Sequence, residues 1–213
     1  AGGESIADTS KILSTYGNAF MLRTDSDKKL DEFKKYSNIP IINGLSPSSH
    51  PTQVLSDIFT IQEIKKKSIS KLKLCWIGDA NNNMMNSLIE ACIKFSISLN
   101  IACPKNYQPN KALISLIKKQ KGKIKIFNKK EKAVKNSDVV MTDKIISLND
   151  KVNKKKKLKS FKNFKVDTKT MNLAKKDAIF LHCLPRGNEV TEEVFLGKQS
   201  RVWQQALNRV YVQ

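Results

Sequence analysis

Residues 177–186 read Asp177-Ala178-Ile179-Phe180-Leu181-His182-Cys183-Leu184-Pro185-Arg186, and this stretch decides the fold. Its first half is a short apolar run after a polar stretch, the pattern of a buried strand in a parallel sheet. The second half turns at once to an imidazole, a thiol, a proline and a guanidinium. In open α/β sheets ligands bind outside the carboxyl ends of strands, which is where this cluster falls. Pro185 has no amide hydrogen for a ladder, so it ends the strand and stiffens the turn, holding thiol and imidazole at the lip. A core cysteine beside an internally satisfied histidine accounts for the same letters equally well.

The chain has only two histidines, and the other adds weight to a site. His50-Pro51-Thr52-Gln53 precedes the periodic run Val54-Leu55-Ser56-Asp57-Ile58-Phe59, which predicts a helix with proline in its first turn. His50 and Gln53 then lie at the helix N-terminus, where free N–H groups and the dipole favour anions. A neutral imidazole and a carboxamide can both donate to a carbonyl oxygen without full charge.

Working outward, strands and helices alternate. An amphipathic helix is expected over 4–16 with Ile6, Ile12, Leu13 and Tyr16 on its apolar side and Gly17 as its stop. A strand over 18–22 ending at Arg23, a polar helix over 28–36 and a short strand over 40–42 follow. These look like the last part of an α/β unit. After the His50 helix come strands over 72–77, 98–102, 123–127 and 139–142, with helices over 83–95, 111–120 and 131–136 between them. A helix or two is expected in the basic stretch, then the strand over 178–182 and a closing helix over 203–212. The fold class is therefore α/β: a parallel, Rossmann-like sheet flanked by helices, plus the partial end of a second α/β domain. The expected division is 1–49, a linking helix over 50–70, a main domain over 71–200, and the start of a closing helix over 201–213. No G-x-G-x-x-G fingerprint is present, so nicotinamide binding is not supported.

The 213 residues are enough for a substantial core, and no long apolar run suggests a membrane span. Cys75, Cys92, Cys103 and Cys183 form no C-x-x-C pair and, with two histidines, no zinc constellation. Three lie in apolar segments, as reduced thiols of a cytoplasmic protein would. The net charge of +20 raises nucleic-acid binding. Lysines are thickest over 151–165, KVNKKKKLKSFKNFK, where Phe161 and Phe164 could interleave with bases. Arginines are few and no nucleic-acid motif is present, which favours a solvated basic surface and no specific nucleic-acid partner.

Taken together, these stretches resemble the aspartate/ornithine carbamoyltransferase family, and within it the ornithine-using branch. The family's "HPxQ" and "HCLP" signatures stand here as 50–53 and 182–185, and the aspartate-using branch typically has proline where Cys183 stands. GGESIADTSKILS, NIPIINGLS, WIGDANNNMMNSLIEA, EVTEEVF and ALNR agree in the family's order along nearly the whole chain. A "STRT"-like phosphate-binding segment and a longer terminal helix have no equivalent, so the expectation is a fragment, inactive alone.

The resemblance implies carbamoyl transfer from carbamoyl phosphate to the side-chain amine of L-ornithine, with no metal or organic cofactor and a homotrimer at full length. It places Arg23, His50, Gln53 and Arg209 at carbamoyl phosphate. It places Asn83 (or Asn82) and Asp143 at the amino-acid group, with Ser147, Leu148 and Leu184 in the same subsite. Cys183 sits beside the reacting amine for positioning or polarity, not as a nucleophile, and Arg186 faces either solvent or the anion. The family's loop D-x-W-x-S-M-G is here Asp143-Lys144-Ile145-Ile146-Ser147-Leu148-Asn149, which keeps aspartate and serine but changes tryptophan, methionine and glycine. That change keeps open another amine, such as putrescine or an acylated ornithine. A non-catalytic basic binding protein on this fold is the remaining alternative.

Overall fold

Five apolar segments build the centre of the molecule, described here from a computed structural model covering residues 3–146 and 153–213. They are β3 (Lys73–Ile77), β4 (Ser98–Ala102), β5 (Ile124–Phe127), β6 (Val139–Thr142) and β7 (Ile179–His182), all parallel in the order β5-β4-β3-β6-β7. Before them stand α1 (Ile6–Leu13), β1 (Phe20–Arg23), α2 (Asp27–Tyr36), β2 (Ile41–Leu45) and α3 (Pro51–Lys65). The crossovers carry α4 (Asn83–Lys94), α5 (Lys111–Lys119), α6 (Lys130–Val134), α7 (Lys154–Ser160) and α8 (Thr168–Met171), and α9 (Glu192–Phe195) and α10 (Val202–Val212) close the chain. β1 and β2 form a separate parallel pair.

Alternation along each strand assigns its side chains to two cores. Leu74 and Trp76 of β3 face a layer with Ile58, Ile61, Met85, Leu88 and Ile89 from α3 and α4. Cys75 and Ile77 face the other layer with Val134, Phe161, Val166 and Phe195. Both faces are covered, which is why β6 and β7 read as near-continuous apolar runs rather than alternating ones. Among the described residues no helix is long and apolar enough to cross a membrane.

The chain winds outward from β3 to β4 and β5, then returns to place β6 and β7 on the other side of β3. The reversal opens a crevice at the carboxyl ends of β3 and β6, the expected place for a ligand in such a sheet. Gly78, which leaves β3 at this point with φ +149°, takes a backbone conformation that side-chain-bearing residues rarely adopt. A Cβ there would also sit 3.3 Å from Thr142 Oγ1.

Several boundaries differ from those expected. The first helix is shorter than 4–16 because Ser5 caps it, its Oγ accepting from Asp8 N–H at 3.1 Å. At its other end the Ser14 and Thr15 hydroxyls bond back to Ser10 and Ile12 carbonyls at 2.7 Å. Tyr16 therefore lies outside the helix and is exposed. β2 runs on through Asn43-Gly44-Leu45 because its pairing with β1 continues to Arg23. The lysine-rich segment turns inward: Phe161 and Phe164 are buried, and Phe161 packs on Tyr107 with ring centroids 4.8 Å apart. Rings buried in this way are not available to stack on bases.

Candidate active site

α3 begins at the crevice. His50 precedes it with extended φ of −138°, and Pro51 occupies the first turn, where a missing amide hydrogen is no loss. The loop before it is stitched to α4: Asn83 Nδ2 donates to Ser46 O at 3.1 Å, Asn86 Nδ2 to Ser48 O at 2.8 Å, and His50 N–H to Ser87 Oγ at 2.8 Å. Arg23 stands where the β1–β2 register shifts, pairing with Leu45 past the skipped Gly44. α10 brings Arg209 alongside α3, held by a polar ladder. Gln205 Nε2 donates to Asp57 Oδ1 at 2.6 Å, Asn208 Nδ2 to Thr60 Oγ1 at 2.9 Å, and Asn208 Nδ2 to Glu63 Oε2 at 2.9 Å.

These elements enclose a cavity of about 510 Å³, and its lining includes Arg23, His50, Gln53, Asn82, Asn83, Asp143, Cys183, Leu184 and Arg209. These residues come from six separate parts of the chain. Ser147 and Leu148 lie outside the described residues.

The electrostatics divide the cavity. Burial, then the charges of Arg209 and Arg23, bring the His50 imidazole from its ordinary 6.5 down to about 4. It is therefore neutral at physiological pH, beside two guanidiniums and a helix N-terminus, the cationic end of the cavity. At the other end burial raises the Asp143 carboxyl to about 6, although Lys144 N–H donates to its Oδ1 at 2.7 Å. It is ionised at neutral pH and suited to an ammonium group. Burial, reinforced by the charges of Asp143 and Asp57, holds the Cys183 thiol well above its ordinary value. A thiol kept protonated is a poor nucleophile.

The two readings of the His182-Cys183 pair each hold for one residue. Cys183 lines the cavity, but His182 is buried and its Nε2 lies 2.8 Å from Glu189 Oε1. It is not at the lip, because Glu189 returns from the following loop to meet it. The same Glu189 oxygen accepts from Gly187 N–H at 2.5 Å, so one carboxylate secures both ends of the turn carrying Cys183, Leu184 and Pro185. The Leu184–Pro185 peptide is cis. Arg186 leaves the cavity, its guanidinium stacked 4.3 Å from the centroid of the Phe195 ring.

Asn82 and Asn83 are also distinguished. Asn82 Oδ1 accepts from Met85 N–H at 2.8 Å as the cap of α4, and its Nδ2 donates to Asp79 O at 3.2 Å. Asn83 spends its Nδ2 on Ser46, leaving its oxygen as the acceptor. The sequence reads Gln53 as a donor, but its Nε2 donates to the buried Asp57 at 2.9 Å.

Asp79 and Lys157 also line the cavity and pass unnoticed in the sequence. Lys157 Nζ lies 2.6 Å from Asp79 Oδ2, with both side chains almost wholly buried, and 5.6 Å from the centroid of the Tyr107 ring. Asp79 is the acidic residue of the turn after β3, a readable signal. Lys157 is one lysine of a run, and nothing in the letters marks it.

The comparisons with known proteins agree with this geometry. A family model described as "Aspartate/ornithine carbamoyltransferase, Asp/Orn binding domain" matches residues 70–213. The chain belongs to the aspartate/ornithine carbamoyltransferase family. The model of the family's carbamoyl-P binding domain matches residues 1–63. An ornithine carbamoyltransferase of Caldicellulosiruptor saccharolyticus is 44% identical over 216 residues, spanning 98% of this chain and 69% of the relative. One from Methanocorpusculum labreanum is 40% identical over 213 residues, spanning 99% and 69%. Among solved structures, the anabolic ornithine carbamoyltransferase of Campylobacter jejuni superposes with a TM-score of 0.91 at 40% identity, over 99% of this chain and 71% of that one. The Pyrococcus furiosus ornithine carbamoyltransferase gives 0.89 at 38% identity, over 99% and 69%.

Proposed function

We propose that this family member transfers the carbamoyl group of carbamoyl phosphate to the side-chain amine of L-ornithine, giving L-citrulline and phosphate. The observation that carries the reading is the cavity at the sheet reversal, whose lining brings together the guanidiniums of Arg23 and Arg209, the neutral His50, Gln53, Cys183 and the Asp143 carboxylate. Names of relatives at 37–44% identity support the same substrates.

The neutral amine attacks the carbamoyl carbon, forming a C–N bond. Negative charge grows on the carbamoyl oxygen, then the C–O bond to phosphate breaks, phosphate takes its electron pair, and the proton lost by the nitrogen goes to the departing phosphate. Arg23 and Arg209 hold the phosphate, since a guanidinium donates paired bonds to such an anion. His50, kept neutral, donates to the carbamoyl oxygen as its charge grows. Asp143 pairs with the α-ammonium of ornithine, and the oxygen of Asn83 accepts from the same group. Cys183 and Leu184 shape the wall beside the reacting amine, and Ser147 and Leu148 complete the amino-acid subsite. Positioning and fixed dipoles supply most of the acceleration.

The proposed division of labour is 1–49 for carbamoyl phosphate, 50–70 as the linking helix, 71–200 for the amino acid, and 201–213 as the start of a closing helix. We further propose that the protein assembles as a homotrimer in the cytoplasm. Nα-acetylornithine is the poorer fit because acetylation removes the ammonium that Asp143 and Asn83 would read; putrescine keeps that ammonium and lacks only the α-carboxylate, so ornithine is preferred over it on the names of the relatives. The binding-protein alternative loses its aromatic support, since Phe161 and Phe164 are in the core.

The test is a steady-state comparison of ornithine, putrescine and Nα-acetylornithine as acceptors, measuring the ureido product. Ornithine should have the highest kcat/KM. A higher value for putrescine would overturn the amino-acid reading.

A further inference from the structure

We propose that Asp57 is a positioning residue that turns the carbonyl oxygen of Gln53 into the cavity and so selects a carbamoyl over an acetyl group on the phosphate. The inference rests on the carbamoyl phosphate reading above. Asp57 lies one helical turn beyond Gln53 on α3 and is wholly buried. Its Oδ1 accepts from Gln53 Nε2 at 2.9 Å and from Gln205 Nε2 at 2.6 Å.

Chemistry fixes both amides. Gln205 Oε1 accepts from His182 N–H at 2.9 Å, so nitrogen is the atom left to meet Asp57. A carboxylate only accepts, so Gln53 also meets it through nitrogen. Turning Gln53 over would set its oxygen against a buried negative charge. Gln53 lines the cavity, and its Oε1 has no protein partner among the described residues. The group presented to a substrate is thus an acceptor, polarised by the carboxylate behind it.

A carbamoyl group carries an –NH2 that donates to such an oxygen. Acetyl phosphate has nearly the same shape and the same phosphate, but a methyl group in that place leaves the oxygen unpaired. An unpaired polar group at a desolvated contact is penalised, which is how a site rejects an analogue lacking the hydrogen.

The experiment measures the KM for carbamoyl phosphate, the Ki of acetyl phosphate and the KM for ornithine in wild type, Asp57→Leu, Asp57→Asn and Gln205→Leu. In Asp57→Leu the carbamoyl phosphate KM should rise about tenfold more than the acetyl phosphate Ki, the size of one lost hydrogen bond, while any loosening of the Gln205 rung weakens both phosphates alike and leaves that ratio untouched. Asp57→Asn can still accept through its oxygen and should lose less of the selectivity. Gln205→Leu should keep it, since Gln53 remains pinned. If Asp57→Leu does not fold, a lowered ratio in Asp57→Asn alongside an unchanged one in Gln205→Leu supports the proposal. Parallel weakening of both phosphates, or an unchanged ratio in the Asp57 variants, overturns it while the parent reading stands. A wild type that does not use carbamoyl phosphate overturns both.

Discussion

Replacing Lys157 by methionine removes the cation of a buried pair and leaves Asp79 behind. Their 2.6 Å contact has both side chains almost out of solvent, with 5% and 6% of each exposed. Breaking such a pair from one side costs about 3–5 kcal/mol, because the remaining charge is uncompensated. Asp79 Oδ1 still accepts from Asn81 N–H at 2.9 Å, which places the cost near the lower end. About 3 kcal/mol in a chain of this size lowers Tm by about 6–12 °C. Adding Asp79→Asn to Lys157→Met removes the stranded charge while keeping an oxygen for Asn81, and should restore most of the loss. A deficit of about 1 kcal/mol should remain, reflecting the lost contact of Lys157 with the Tyr107 ring. Denaturant unfolding of wild type, both single variants and the double variant closes the cycle. A double variant as unstable as Lys157→Met alone would refute the reasoning, since it would mean that packing, not charge, holds α7 to the turn after β3.

Other predictions follow from the same geometry. Asp143→Asn should raise the KM for ornithine by about tenfold or more and leave that for carbamoyl phosphate within about twofold, since a lost charged hydrogen bond is worth about 1.5–3 kcal/mol; equal weakening of both substrates would sink the assignment. Because the Asp143 carboxyl titrates near 6, the ornithine KM should rise as pH falls through that value, where the carboxylate protonates, and this rise should be missing in Asp143→Asn. The neutral state of His50 should persist to about pH 4, so NMR titration of its ring should show no protonation between pH 5 and 8. Glu189→Ala leaves the buried His182 and the Gly187 N–H without their acceptor and should cost about 1–3 kcal/mol in denaturant unfolding.

Much of this was legible because two signals are local. The near-continuous apolar run Val139–Thr142 marks a strand buried on both faces, and its bounds and those of Ser98–Ala102 agree with the sequence reading to the residue. The His-Pro pair at 50–51 marks a helix start by proline chemistry alone. What escaped depends on partners distant in sequence. The letters place His182 at the lip, whereas Glu189 meets it in the core, and they show Lys157 as one lysine of a run, whereas Asp79 lies opposite it. The Asp57 carboxylate stood in plain view in an apolar helix, four residues after Gln53. Its meaning required Gln205, 148 residues away. Chain ends of helices were misplaced where serine and threonine hydroxyls, as at Ser5 and Ser14, competed for the terminal backbone groups.

The central claim is that this cavity joins the carbamoyl carbon to the side-chain nitrogen of ornithine. The most direct measurement is 13C NMR of the protein with carbon-labelled carbamoyl phosphate and ornithine. The account predicts a ureido carbon growing in equal amount with phosphate, and its loss when Arg209 is replaced by alanine. Consumption of carbamoyl phosphate to phosphate and carbonate with no ureido signal would contradict it.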